Sequence, residues 1–205
     1  MTIRLHRGDL PNLNAYEGAV AIDTETMGLD PHRDRLCVVQ LSPGDGSADV
    51  VQIAAGQKQA PNLQRLLADK SILKIFHYAR FDLGVLFNAF GVMAEPVYCT
   101  KIASRLARTY TDKHGLKDLA KELLGIDLSK QQQLSDWGAE ALTDPQVAYA
   151  ATDVQHLHAL KEKLDAMLAR ENRTALAAAC FKFLPDRVRL DLSGWAGEDI
   201  FSHSV

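Results

Sequence analysis

The stretch AVAIDTETMGLD (19–30) decides how this chain is read. It is an apolar, partly β-branched run that ends in acid-x-acid. A strand places residues two apart on one face, so Asp23 and Glu25 are expected to project together from the strand's end. Similar runs flank it. Short strands are expected at about 3–5, 19–25, 35–42, 48–53 and 72–76, because RLCVVQL and ADVVQI are β-branched and bounded by Gly, Pro and Asp. PHRDR and SPGDGSA are the turns of a meander. NLQRLLAD then reads as a helix, ILKIFHY as a strand, and FDLGVLFNAFG as a helix closed by Gly91.

From about residue 99 onward the pattern is almost wholly helical: TKIASRLARTY, GLKDLAKELLG, and DPQVAYAATDVQHLHALKEKLDAMLARENR, with Asp144 as N-cap and Pro145 in the first turn. Strands early, helices late and a βαβ step between them describe an α/β fold, a mixed central sheet flanked by helices. In the last part, TALAAACFKFLPDRV reads as a further helix interrupted at Pro185. The apolar residues Leu190, Leu192, Trp195, Ile200 and Phe201 point to a docking extension over 171–205.

At 205 residues the chain fits a single domain, 1–205. Its hydrophobic fraction of 47% and charged fraction of 24% are those of an ordinary globular protein. No apolar run approaches the roughly 18–20 residues of a membrane span, and MTIRLHRGDLPN has no secretory h-region. Cys37, Cys99 and Cys180 are widely spaced, which fits a reducing cytoplasm rather than a disulfide framework or zinc cluster. Net charge is −3. A protein that tracks long nucleic acid usually presents a basic surface, so a nucleic-acid substrate is expected to be short or held on a local patch. Lys101, Arg105, Arg108, Lys113, Lys117, Lys121 and Lys130 are the candidates for that patch.

Two further acids complete a pattern. Asp82 lies early in the helix after ILKIF, and Tyr149 and Asp153, four apart, share one face of a later helix. Separate elements thus supply the hard oxygen donors that magnesium prefers. Cleaving a phosphodiester requires activating a water, stabilising the charge that builds on phosphorus oxygens, and helping an alkoxide leave. Two divalent cations about 3.5–4 Å apart do all three. In such a site Asp23 bridges both ions, Glu25 and Asp153 complete the one holding the water, and Asp82 serves the second. Tyr149, with an ordinary pKa near 10, would orient the water rather than deprotonate it.

DTETMGLDPHRDRLCVVQLS, FHYARFDLGVLFNAFG, CTKIASRLA, GLKDLAKELLGIDLSK, QLSDWG and YAATDVQHLHAL together resemble the 3′-to-5′ exonuclease superfamily with four acidic ligands and a motif Tyr, in its ribonuclease D-like branch. The resemblance covers about residues 18–165. It implies a ribonuclease H-like sheet, two Mg2+ per site with Mn2+ able to substitute, and release of nucleoside 5′-monophosphates from a 3′ end. It assigns Asp23, Glu25, Asp82 and Asp153 as metal ligands and Tyr149 as the water-orienting residue. Without room for the helical RNA-binding domains of ribonuclease D proper, the chain is similar to the nanoRNase C group. That likeness implies short single-stranded RNA, dinucleotides above all, and a ring-like homo-octamer.

By the same resemblance Leu29 wedges between terminal bases, the backbone at Thr26 and Met27 lies near the 3′-hydroxyl, and His77, Lys101 and Lys130 are candidate phosphate contacts. Trp137 is expected to be a packing anchor sooner than a base platform. Two positions depart from the family pattern: Tyr78 stands where Asn is usual, and Cys99 where Asp is usual. The alternatives are a nuclease of longer substrates (transfer RNA 3′ ends, DNA ends) and a non-catalytic RNA-binding module.

Overall fold

The computed structural model describes residues 2–129 and 131–203. Its sheet contains β1 (Ile3–Arg7), β2 (Ala19–Thr26), β3 (Leu36–Ser42), β4 (Ala48–Gln52), β5 (Leu73–Phe76) and β6 (Val97–Cys99), in the order β1-β4-β3-β2-β5-β6. β2, β3 and β4 form the antiparallel meander, while β1 on β4, β5 on β2 and β6 on β5 are parallel. The helices are α1 (Pro61–Ala68), α2 (Ala79–Phe90), α3 (Thr100–Ala107), α4 (Leu116–Leu119), α5 (Asp144–Gln155), α6 (Leu157–Arg170) and α7 (Thr174–Leu190).

Both faces of the sheet are covered, and the alternation along β2 decides what each receives. Val20 and Ile22 enter the core shared with α1, α2 and the end of α7. Ala21 enters the opposite core, with Ala103 of α3, Ala150, Ala151 and Val154 of α5, and Leu160 and Leu164 of α6. Continuing that alternation, Asp23 and Glu25 belong to the α5 side and Thr24 to the α2 side. The acid-x-acid word therefore aims two carboxylates at one helix and a hydroxyl at another.

Four local expectations differ. β6 is a strand of three residues, VYC, too short to show a period. Thr143, not Asp144, caps α5, in a capping box with Gln146. The long helical pattern breaks at His156 into α5 and α6. Pro185 does not interrupt α7, which runs through it to Leu190. The chain beyond α7 docks beside the start of α2. Arg80 makes a two-pronged contact to Asp191 at 2.5 and 2.7 Å and donates to the Ala196 carbonyl. Leu192 packs on the core, whereas Trp195, Ile200 and Phe201 stay exposed.

Candidate active site

At the end of β2 the register slips between Glu25 and Thr26; Thr26 still pairs with Leu36, and the chain then turns into the 27–35 connection. There the carboxylate oxygens of Asp23, Glu25 and Asp153 lie within 4.8 Å of one another. α5 carries Asp153 and is held to the sheet by Ala150, Ala151 and Val154. One turn earlier the Tyr149 hydroxyl faces the Asp153 carboxylate, and its ring lies 6.1 Å from that of Trp137. Trp137 is 3% exposed, the packing anchor expected of it.

Asp82, in the first turn of α2, approaches from the other face and stands outside that tight group of three. It is buried and accepts a 2.7 Å hydrogen bond from Thr24 Oγ1. Gln40, opposite Asp23 in the β2–β3 register, donates from Nε2 to Asp23 Oδ2 at 2.7 Å. Neither Thr24 nor Gln40 was singled out from the sequence. A readable signal existed for both: a polar residue between two acids, and a glutamine inside the apolar strand RLCVVQL.

The electrostatics are unbalanced. Burial, then the charges of Asp82, Asp153 and Glu25, push the Asp23 carboxyl well above the usual range. Burial and the Asp153 and Asp82 charges push Glu25 up to about 8. Burial raises Asp82 to about 7 against the hydrogen bond from Thr24, and raises Asp153 to about 7 against the one from Tyr149. No Lys or Arg is ion-paired to any of the four among the described residues. Crowded carboxylates with oxygen-only donors fit a hard divalent cation, which would supply the missing positive charge. Burial foremost, followed by the neighbouring carboxylates, raises the Tyr149 phenol, which stays a hydrogen-bond donor at neutral pH.

These groups line a cavity of about 600 Å³ that also includes Thr26, Met27, Leu29, His77 and Lys101. Leu29 is 84% exposed at the rim, which no core leucine would be. Asp34 braces its turn, accepting from the Asp30 amide and filling the space above Gly28 so closely that a Cβ there would collide with Asp34 Oδ2. His77 Nδ1 lies 2.9 Å from Thr100 Oγ1. Burial and the Lys101 charge lower the His77 pKa to about 3, so the ring is neutral. Lys130 lies outside the described residues.

A family model described as a 3′-5′ exonuclease matches residues 9–169. The chain belongs to the 3′-5′ exonuclease family. Among curated exonuclease relatives, the ribonuclease D of Gluconacetobacter diazotrophicus is 36% identical over 170 residues, 83% of this chain and 43% of that one. The chain thus spans less than half the length of that relative. Among solved exonuclease structures, Brucella melitensis NrnC with bound Mg2+ is 64% identical with a TM-score of 0.96, covering 100% of both chains. NrnC bound to pGG is 65% identical with a TM-score of 0.97, again over 100% of both. These likenesses place the exonuclease in the ribonuclease D-like branch with a ribonuclease H-like fold. No helix among the described residues is long and apolar enough to cross a membrane.

Proposed function

We propose that this chain is a two-metal-ion 3′-5′ exoribonuclease that degrades short oligoribonucleotides, dinucleotides foremost, to nucleoside 5′-monophosphates. The observation that carries the reading is the convergence of Asp23, Glu25 and Asp153 within 4.8 Å, with Asp82 and Tyr149 in the same cavity. Asp23, Glu25 and Asp153 would hold one divalent cation, and Asp82 with Asp23 a second, Mg2+ in the first instance with Mn2+ accepted. Such ions acidify a water and offset the charge that grows on the phosphate oxygens.

The protein's own groups do the rest. Tyr149, still protonated, donates to the water and aims it in line with the scissile bond. Water oxygen joins phosphorus, the bond to the 3′ oxygen breaks, and that oxygen takes a proton as the shortened RNA leaves. Thr26 and Met27 cradle the terminal sugar with backbone groups, and Leu29 wedges against the terminal base. Lys101 answers the phosphate charge, and His77, being neutral, contacts it as a dipole.

Short substrates are favoured by the size of the cavity, about 600 Å³, which is that of a site for one small ligand. The likeness to NrnC bound to pGG supports the same choice. Residues 1–205 act in this reading as one catalytic domain, with 171–205 as its docking extension. The exposed Trp195, Ile200 and Phe201 suit assembly into a homo-oligomer, an octamer by the resemblance. The three free cysteines suit a reducing cytoplasm. The test is a comparison of kcat/KM for RNAs of two to ten nucleotides. The reading expects the dinucleotide to lead, and rates that hold or rise with length contradict it.

A further inference from the structure

Tyr78 takes a backbone conformation that a tyrosine rarely adopts, with φ 120° and ψ 47°. A bulky residue at positive φ is a genuine outlier, and such strain gathers where a site holds a side chain in place. The reason for the turn is topological: β5 ends at Phe76 and α2 begins at Ala79, so His77 and Tyr78 alone make the connection. A glycine would make it at less cost, as Gly91 does at the end of α2. The Tyr78 carbonyl accepts from the Phe81 amide at 2.9 Å, so the strained residue is locked into the first turn of the helix.

The ring is not spent on packing. Tyr78 is 50% exposed and lines the catalytic cavity. The Lys101 ammonium sits 4.2 Å from its centroid, against one face. With Lys101 over one face the residue still keeps half its surface accessible, so the ring has area left to offer a ligand. Lys101 forms no ion pair among the described residues. A cation on one face leaves the ring a flat platform for a π-system on the other, and every nucleobase offers one.

The sheet order says which base. Thr26 ends β2 and Met27 and Leu29 follow it, Tyr78 follows β5 and Lys101 follows β6, three neighbours in the order β2-β5-β6. If the 3′-terminal nucleotide lies at the end of β2, the chain's next nucleotide lies towards β5 and β6. We infer that Tyr78 is a specificity-determining residue whose ring, backed by Lys101, stacks the base of the nucleotide preceding the 3′-terminal one. This rests on the exoribonuclease reading above.

The experiment measures dissociation constants for an intact RNA dinucleotide and for the same dinucleotide made abasic at its first or its second nucleotide. It uses the full chain carrying Asp153→Asn with Mg2+ present, alone and combined with Tyr78→Ala or Tyr78→Phe. Loss of a stacked base costs about 5- to 150-fold in affinity. The Tyr78 background should therefore discriminate by that factor against loss of the first base. Tyr78→Ala should erase this factor while keeping the discrimination against loss of the second base, and Tyr78→Phe, which retains the ring, should keep both. Melting curves confirm that each variant is folded. Equal first-base discrimination with and without the ring overturns the inference, as does its absence in the Tyr78 background. Cleavage by the chain with Asp153 intact is followed in parallel: no hydrolysis of the intact dinucleotide would sink the exoribonuclease reading, while the dissociation constants still decide the role of Tyr78.

Discussion

Replacing Thr24 by Val probes the support beneath Asp82 without touching a carboxylate. Thr24 is 6% exposed and its hydroxyl donates to Asp82 Oδ1 at 2.7 Å. Valine keeps the shape and removes the donor. A hydrogen bond to a charged group contributes about 1.5–3 kcal/mol, equivalent to roughly 10- to 150-fold in an equilibrium constant. Groups that orient metal ligands typically account for about 10–100-fold in metal affinity or activity. Backbone N–H groups of Thr24 and of Asp82 itself still face the carboxylate, so the loss falls at the lower end, about tenfold. The assay is dinucleotide hydrolysis as a function of Mg2+ concentration. The half-saturating Mg2+ should rise about tenfold in Thr24→Val, with most of the rate recovered at saturating metal. Thr24→Ser should track the parent. An unchanged Mg2+ dependence in Thr24→Val would refute the assignment of Asp82 to the metal-holding group.

Asp49 lies far from this chemistry, on β4, two strands from β2. Burial alone would raise its carboxyl, but bonds from Arg4, His6 and Tyr16 outweigh burial and hold it down at about 2. The folded pKa is below the unfolded one, so this stabilisation is complete above about pH 4 and lost as pH falls towards about 2. Breaking a buried charged pair costs about 3–5 kcal/mol. With Arg4 41% exposed, Asp49→Asn should cost about 2–3 kcal/mol, or about 4–12 °C of melting temperature. Melts between pH 7 and pH 2 check both the deficit and its shrinkage with acid; a deficit that persists at pH 2 contradicts the linkage. Leu29→Ala, at an exposed rim position, should leave the melting temperature within about 2 °C. It should lower kcat/KM for dinucleotides about tenfold, mostly through KM, and unchanged kinetics would remove Leu29 from the substrate contacts.

What could be read in advance followed from period and chemistry. AVAIDTETMGLD has the two-residue period of a strand and ends in an acidic pair, and YAATD puts Tyr149 and Asp153 on one face; in the structure the carboxylate oxygens of Asp23, Glu25 and Asp153 lie within 4.8 Å of one another, with Tyr149 in the same cavity. VYC was opaque because three residues carry no period, and its role is set by pairing with β5. Pro185 misled because local propensity ends helices at proline, whereas here the packing of Leu184, Pro185 and Val188 carries the helix through. Thr24 and Gln40 act only through partners 58 and 17 positions away, a relation that exists once α2 and β3 are in place. Tyr78 was visible as a departure from the family pattern, yet its strain and its lysine neighbour belong to the turn between β5 and α2.

The most direct test of the central claim is the rate of dinucleotide hydrolysis before EDTA treatment, after it, and after Mg2+ is restored. Carboxylates crowded around divalent cations predict complete loss with the chelator and full recovery with the metal. Hydrolysis that continues undiminished in EDTA contradicts the account.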